Sequence, residues 1–135
     1  MRPGAIPFTE WSFYDYYEGD VNCLTTWFQS LDPSVRDDVA DKLRAMLLAM
    51  RPRRIWPEKW FSAYKGRDNI YEIRITFKKV QYRPFGCYRP GGNWGFTLIG
   101  GSIEKGDEIP ASALTVLEAR MNAITWRTVR EHTFD

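Results

Sequence analysis

Alternation of apolar and polar residues is clearest in the middle of the chain, over residues 70–77. Apolar side chains recur there at every second position from Tyr71 to Phe77, with polar side chains between them. Two further extended segments follow at 81–89 and 93–101, and a Pro-Gly-Gly-Asn turn sequence separates them. The pattern predicts three consecutive antiparallel strands.

Helical periodicity is strongest over residues 33–50, which begin with a proline and carry an apolar stripe at helical spacing. Asp32 suits the N-cap, and an Arg-Pro pair ends the helix because the residue before a proline avoids helical geometry. The pattern also predicts a shorter helix over 21–30, capped by Asp20, and a third helix over 110–124.

The order of these elements predicts one α+β domain over residues 1–135. An aromatic-rich strand at 8–18 comes first, followed by two helices, the three-strand meander and the C-terminal helix. We expect a small antiparallel sheet packed against the two N-terminal helices, with its other face at least partly open. Residues 1–7 are expected to form a loose lead-in, and residues 125–135 a mobile tail.

The polar side of the meander carries candidate chemistry. The side chains that share it, given a hairpin loop of even length, are Glu72, Arg74, Thr76, Gln81, Arg83 and Arg89. Lys-Lys is a poor primed-turn sequence, so we expect a loop longer than Lys78-Lys79. Arginines that face each other across a sheet need an offsetting negative charge. Either Glu72 supplies that charge in an ion-pair lattice, or the face binds a phosphodiester and stabilises its developing charge.

A basic and aromatic connector, residues 51–66, links the second helix to the meander. One interpretation is a binding loop, since guanidinium groups and rings suit phosphates and bases. The other is a packed connector whose Trp56, Trp60 and Phe61 cover the core while the arginines stay solvated. A third hypothesis treats the segment around Trp56 and Trp60 as a module that captures a protein partner.

Composition excludes several function classes. The formal net charge is only +2, and the two cysteines, Cys23 and Cys87, have no metal-ligand spacing. His132 is the single histidine, and the chain contains neither a P-loop nor a GxGxxG motif. No apolar run is long enough for a signal peptide or a membrane span. We therefore expect a soluble cytoplasmic protein without a metal or other cofactor.

Several short segments follow one another in an informative order: FYDYYEGDVNCLTTWFQSLDPSVRDDVADKL, NIYEIRI, QYRPFGCY, GFTLIGGSIEK and a proline-initiated helix. This order resembles the RelE/HigB-like toxin superfamily, especially its phage-associated branch, over about residues 13–124. The resemblance implies the toxin of a type II toxin–antitoxin pair, a metal-independent, ribosome-associated mRNA endoribonuclease that uses the RNA 2′-hydroxyl as nucleophile. The implied partners are a cognate antitoxin, commonly a helix-turn-helix protein, and mRNA on the ribosome; a homodimer is compatible with it.

The resemblance also implies site residues. The catalytic set is Arg74, Arg83, Lys105 and Glu72, with Glu72 either a general base or an ion-pair partner. The basic residues expected to contact RNA are Lys65, Arg53, Arg54, Lys78 and Arg89. His132 is similar in kind to a C-terminal histidine that serves as acid or base in some members.

An alternative function stays open, namely a non-catalytic phage or prophage binding or regulatory protein on the same scaffold. Acidic residues surround Lys105, where the family carries Lys, Thr and Gln. Pro84 interrupts the predicted middle strand and cannot donate to a ladder, so it predicts a bulge or a sheet edge.

Overall fold

The structure, a computed structural model, describes residues 6–134 and has one mixed sheet of eight strands with three helices. The strands are β1 (Ser12–Glu18), β2 (Val21–Asn22), β3 (Phe61–Ala63), β4 (Tyr71–Ile73), β5 (Ile75–Phe77), β6 (Val80–Cys87), β7 (Gly95–Ile103) and β8 (Val129–Glu131). The helices are α1 (Cys23–Ser30), α2 (Pro33–Met50) and α3 (Ala111–Ala123). The main strand order is β2-β1-β7-β6-β4-β3, with β5 also paired to β6 and β8 to β1.

The predicted meander is confirmed, but the sheet is larger than expected and is not wholly antiparallel. β5, β6 and β7 pair antiparallel in sequence, whereas β1 runs parallel to β7, with Ser12 opposite Gly95. A parallel pair needs a long connection rather than a hairpin, and α1, α2 and the outer strands supply it. The prediction of a small antiparallel sheet is therefore wrong in detail.

Helices cover both faces of the sheet. On one face, α1 and α2 bury a core that includes Leu43, Tyr82 and Phe96. On the other face, α3 packs Leu117 against a second core that contains Phe85. The sheet face that we expected to be open is therefore covered by α3 over part of its area and open only outside that part. The apolar side of α3 must pack against something, and the apolar residues of this face provide the surface.

Local signals placed two helices correctly. α2 begins at Pro33, and the Asp32 side chain accepts a 2.8 Å hydrogen bond from the Ser34 N–H, as the capping pattern predicts. α3 begins after Pro110 and confirms the third predicted helix. The N-cap of α1 is Asn22 rather than Asp20, because β2 keeps the chain extended and paired to β1 through Asn22.

The C-terminal segment is part of the sheet. β8 pairs with β1 along its free edge, and the backbone N–H of His132 donates to the Phe13 carbonyl oxygen at 2.9 Å. The prediction of a mobile tail over 125–135 is therefore wrong for the described part, because Phe134 also packs against the core. Residues 1–5 of the predicted lead-in and residue 135 lie outside the described residues. No helix within 6–134 has the length and apolarity to cross a membrane.

The hairpin between β5 and β6 has the shortest even loop. Phe77 lies opposite Val80, so Lys78-Lys79 forms a two-residue turn in which both residues have positive φ, 49° and 66°. The prediction of a longer loop is wrong, although its even parity is right. Pro84 lies in the interior strand β6 and is paired with Gly101 of β7. On its other side the ladder is interrupted between β4 and β5, because proline has no N–H to donate.

Candidate functional site

The predicted polar face brings together Glu72, Arg74 and Arg83, and it adds a fourth group, Glu104. Arg74 Nε lies 3.3 Å from Glu72 Oε1, while an Arg83 terminal nitrogen lies 3.1 Å from Glu104 Oε2. Arg83 Nε is 4.0 Å from Glu72 Oε2. Two arginines therefore meet two glutamates, and the geometry is that of the ion-pair lattice.

Arg83 is the most constrained member of this lattice. Arg83 is only 7% exposed. Its guanidinium donates hydrogen bonds to the carbonyl oxygens of Ile75 and Tyr82 and to Gln81 Oε1. Only Nε lacks a hydrogen-bond partner among the described residues. A guanidinium that is buried and committed in this way cannot approach an RNA phosphate without breaking the lattice. Arg74, by contrast, keeps 40% of its side chain exposed.

The cleft beside the lattice is predominantly acidic. It has a volume of about 340 Å³, and its charged lining residues are Lys65, Arg74, Glu72, Glu104, Asp107 and Glu108. Four carboxylates face two cations, which disfavours a polyanion. The Lys105 side chain is exposed, and its backbone pairs with Glu108 in a short turn.

The remaining predicted RNA contacts do not converge on the lattice. Lys78 lies at the tip of the β5–β6 hairpin, and Arg89 lines a separate cleft with Arg67 and Glu118. Lys65 alone reaches the lattice cleft. Lys78 precedes β6 and Arg89 follows it, so these two lie at opposite ends of one strand, whereas Lys65 follows the edge strand β3.

The aromatic connector is packed rather than open. Trp56 is buried, and its indole N–H donates to a carbonyl oxygen at the end of α2. Arg53 and Arg54 stay exposed, with their guanidinium carbons 5.0 and 5.7 Å from the ring centroids of Trp60 and Trp94. Trp56 of this segment therefore covers the core, while its two exposed arginines lie over indole rings at the surface.

A second site forms where the C-terminal segment meets β1. His132 Nδ1 lies 2.8 Å from Asp15 Oδ1, and both side chains are about nine-tenths buried, with 11% and 8% exposed. A carboxylate can only accept, so Nδ1 carries the hydrogen of this bond and Nε2 is the ring nitrogen left for another partner. No described residue hydrogen-bonds Nε2.

Asn22 holds this pair in place. Its Nδ2 donates to Asp15 Oδ2 at 2.9 Å and to the Tyr17 hydroxyl at 3.3 Å, while its Oδ1 caps α1 by accepting from Thr25. The position of Asp15 is therefore tied to the start of a helix, which makes the carboxylate rigid. Both Asp15 oxygens have partners.

The pair lines a polar cleft of about 360 Å³ between β1, α1, α2 and the C-terminal segment. Its polar lining residues are Asp15, Tyr17, Asn22, Thr25, Asp41, Arg44, His132 and Thr133. The guanidinium carbon of Arg130 lies 4.1 Å from the centroid of the Tyr17 ring at the same edge. An imidazole held by a carboxylate, with cations and hydroxyls around it, is an arrangement suited to acid–base chemistry.

Neither cysteine offers a nucleophile at neutral pH. Burial, with the hydrogen bond to Glu18, raises the pKa of the Cys23 thiol to about 11. Burial likewise raises the pKa of the Cys87 thiol to about 11. Among residues 6–134, no group of three or more His, Cys, Asp or Glu side chains is placed to hold a metal ion.

The sequence prediction missed Asp15, Tyr17 and Asn22. The usable signal was alternation in the first strand: Asp15 lies two residues after the core residue Phe13 and shares its face, so it is a charged residue at a core-facing position. Its partner lies 117 residues further along the chain. No spacing rule connects two such positions.

Comparisons with protein-family models, with curated proteins and with solved structures found no match to this chain.

Proposed function

We propose that this chain is a toxin-like, metal-independent endoribonuclease whose acid–base centre is the His132–Asp15 pair. The observation that carries the proposal is an imidazole fixed by a buried carboxylate, with Nε2 unbonded, in a polar cleft. Histidine is the side chain that most readily exchanges a proton near neutral pH. The sequence resemblance supports RNA as the substrate, with the ribosome and a cognate antitoxin as partners.

In this mechanism His132 Nε2 takes the proton from a 2′-hydroxyl group. The 2′-oxygen then bonds to the adjacent phosphorus, and the bond from phosphorus to the 5′-oxygen breaks. Tyr17 donates the proton that the departing 5′-oxygen needs, and the hydrogen bond from Asn22 stabilises the phenolate left behind. The products are a 2′,3′-cyclic phosphate and a 5′-hydroxyl. Asp15 fixes the tautomer and stabilises the imidazolium.

In this proposal the arginine lattice supports the fold and does not carry the chemistry. Arg83 and Glu72 are buried and their opposite charges offset each other, so they would stabilise the negative charge that develops on a phosphate only weakly. Arg74 and Lys105 remain accessible and supply secondary contacts to the substrate.

The experiment is expression without an antitoxin, followed by cleavage of mRNA on purified ribosomes. Wild-type protein should arrest growth and release fragments ending in a 2′,3′-cyclic phosphate. His132→Gln and Asp15→Asn should retain the wild-type circular dichroism spectrum and lose about 100-fold or more in cleavage rate. Arg67→Gln, which removes the ion pair between Arg67 and Glu118 of α3, serves as the matched control. Full cleavage by a folded His132→Gln protein would contradict the proposal.

The second candidate is a non-catalytic binding protein, and the neutralised lattice favours it. Where the family resemblance implies free positive charge, the lattice cleft holds twice as many carboxylates as cations, four against two. This candidate predicts normal growth and no cleavage by wild-type protein, together with a stable complex that is insensitive to His132→Gln.

A further inference from the structure

The arginines of this chain differ in whether a carboxylate lies beside them. Five of them lie within 4.0 Å of a carboxylate oxygen: Arg67, Arg74, Arg83, Arg120 and Arg130. Arg44 and Arg51 have no carboxylate partner among residues 6–134, although both lie next to the His132 segment. Arg44 lines the candidate catalytic cleft, and Arg51 lies over the ring of Phe134. The proposed mechanism uses neither of these two guanidinium groups.

One residue, Phe134, holds both arginines and contacts the imidazole. Arg44 Nε donates to the Phe134 carbonyl oxygen, and the Arg51 guanidinium carbon lies 4.1 Å from the Phe134 ring centroid. The same ring meets the His132 ring edge-to-face, with centroids 5.0 Å apart, and packs on Phe13. The two guanidinium groups and the imidazole are therefore organised around a single residue, Arg44 through its backbone carbonyl oxygen and the other two through its ring.

The helix fixes the relation between the arginines. Arg51 follows the last residue of α2, and it is seven positions after Arg44, which makes about two turns and about 10 Å along one side of the helix. The Arg51 N–H donates to the Leu47 carbonyl oxygen, and its own carbonyl accepts from Trp11 at 2.9 Å. The backbone beneath the guanidinium is therefore held from both sides.

We propose that Arg44 and Arg51 form a phosphate-binding subsite next to His132, with Phe134 as its positioning residue. That the phosphate belongs to an RNA chain rests on the proposed function. Stacking on the Phe134 ring leaves the N–H groups of Arg51 free at its edges, and Arg44 uses only Nε to bond Phe134. The remaining N–H groups have the fork geometry that matches phosphate oxygens. Of the described cleft-lining residues, Asp41 is the one carboxylate besides Asp15, and it forms no ion pair with Arg44.

A purely structural explanation makes a different prediction. Arg51, at the C-cap of α2, would then serve only to stabilise the helix end, and Arg44 only to hold the Phe134 carbonyl oxygen. In that case their replacement would lower the melting temperature and leave phosphate affinity unchanged.

The test measures binding of fluorescein-labelled hexauridylate by fluorescence anisotropy at several salt concentrations. All proteins are full-length and carry His132→Gln, so that the probe is not cleaved. Arg44→Gln and Arg51→Gln should each weaken binding by about tenfold and reduce the slope of log K against log salt by about 0.7, the value for one phosphate contact in a single strand. Phe134→Leu should weaken binding without any change of charge. Arg67→Gln, with the same change of charge on the α3 side of the sheet, should stay within about twofold.

Competition identifies the chemical group, and the outcomes separate the two proposals. Inorganic tripolyphosphate should displace the probe, whereas uridine should not; displacement by uridine alone would overturn the phosphate subsite. Arginine variants that bind like Arg67→Gln would overturn it too, even if wild-type protein cleaves RNA. Loss of binding in those variants, with no cleavage by wild-type protein, would support the subsite and refute the proposed ribonuclease.

Discussion

Arg83 is the position where a catalytic role and a structural role make the most different predictions. Its side chain is 8% exposed and lies 3.1 Å from Glu104 and 4.0 Å from Glu72. Arg83→Ala leaves the largely buried Glu104 without its counter-charge and removes one of the two cations beside Glu72. Breaking a buried pair in this way costs about 3–5 kcal/mol, a large share of the roughly 5–15 kcal/mol that stabilises a domain.

The assay is urea unfolding followed by tryptophan fluorescence and far-ultraviolet circular dichroism. Arg83→Ala should lower the unfolding midpoint without changing the slope m. Arg74→Ala is the matched control, because its side chain is 40% exposed and its pair with Glu72 should contribute less than about 1 kcal/mol. A double-mutant cycle of Arg83→Ala with Glu104→Ala should give a coupling energy of about 0.5–3 kcal/mol.

If Arg83→Ala lowers the free energy of unfolding by less than about 1 kcal/mol, this reasoning is refuted, because a loss of that size is typical of a solvent-exposed ion pair. The result also decides how activity data are interpreted. If Arg83→Ala unfolds, its failure to arrest growth says nothing about phosphate chemistry. In His132→Gln the buried Asp15 keeps its hydrogen bond from Asn22, and the glutamine amide can donate in place of the imidazole. This variant, with Arg44→Gln, therefore tests function more directly.

Three other predictions concern stability. Gly101→Ala would put a Cβ 2.3 Å from the Trp27 ring and should cost about 1–3 kcal/mol in urea unfolding; unchanged stability would mean that the ring yields freely. Replacing Lys78-Lys79 with Asn-Gly suits the two positive φ values and should add about 0.4–1 kcal/mol, seen as a higher melting temperature; a lower one would contradict the turn. Burial raises the pKa of the Cys23 and Cys87 thiols from 9.0 to about 11, so the folded state retains protons that the unfolded chain releases. The unfolding free energy should therefore fall between about pH 9 and 11, and a double Cys→Ala variant should lose less over that window.

Elements with local signals were predictable. The bounds of α2 follow from a capping aspartate, a proline at the first position and an apolar stripe, all of which act within a few residues. The strands of the meander follow from alternation for the same reason. β4 and β5 also show the limit of that signal, because the break between them arises from Pro84 in a neighbouring strand.

The candidate lattice was predictable in part. Hairpin parity was enough to put Glu72, Arg74 and Arg83 on one face, whatever the even length of the loop. Parity could not show that Glu104 completes the lattice or that Arg83 becomes buried. Those facts depend on the pairing of β7 and on how α3 covers the rest of that face.

The sequence by itself determined where α2 and α3 lie, and which side chains of the meander share a face, because these outcomes depend on interactions between near neighbours in the chain. Only the tertiary structure decided that the last residues return to β1 as β8 and set His132 against Asp15. That return depends on strand pairing and on the packing of Phe134 with Phe13 and Arg51, which involve segments far apart in sequence. Contacts of this kind leave no periodic pattern, since their spacing is set by the whole fold.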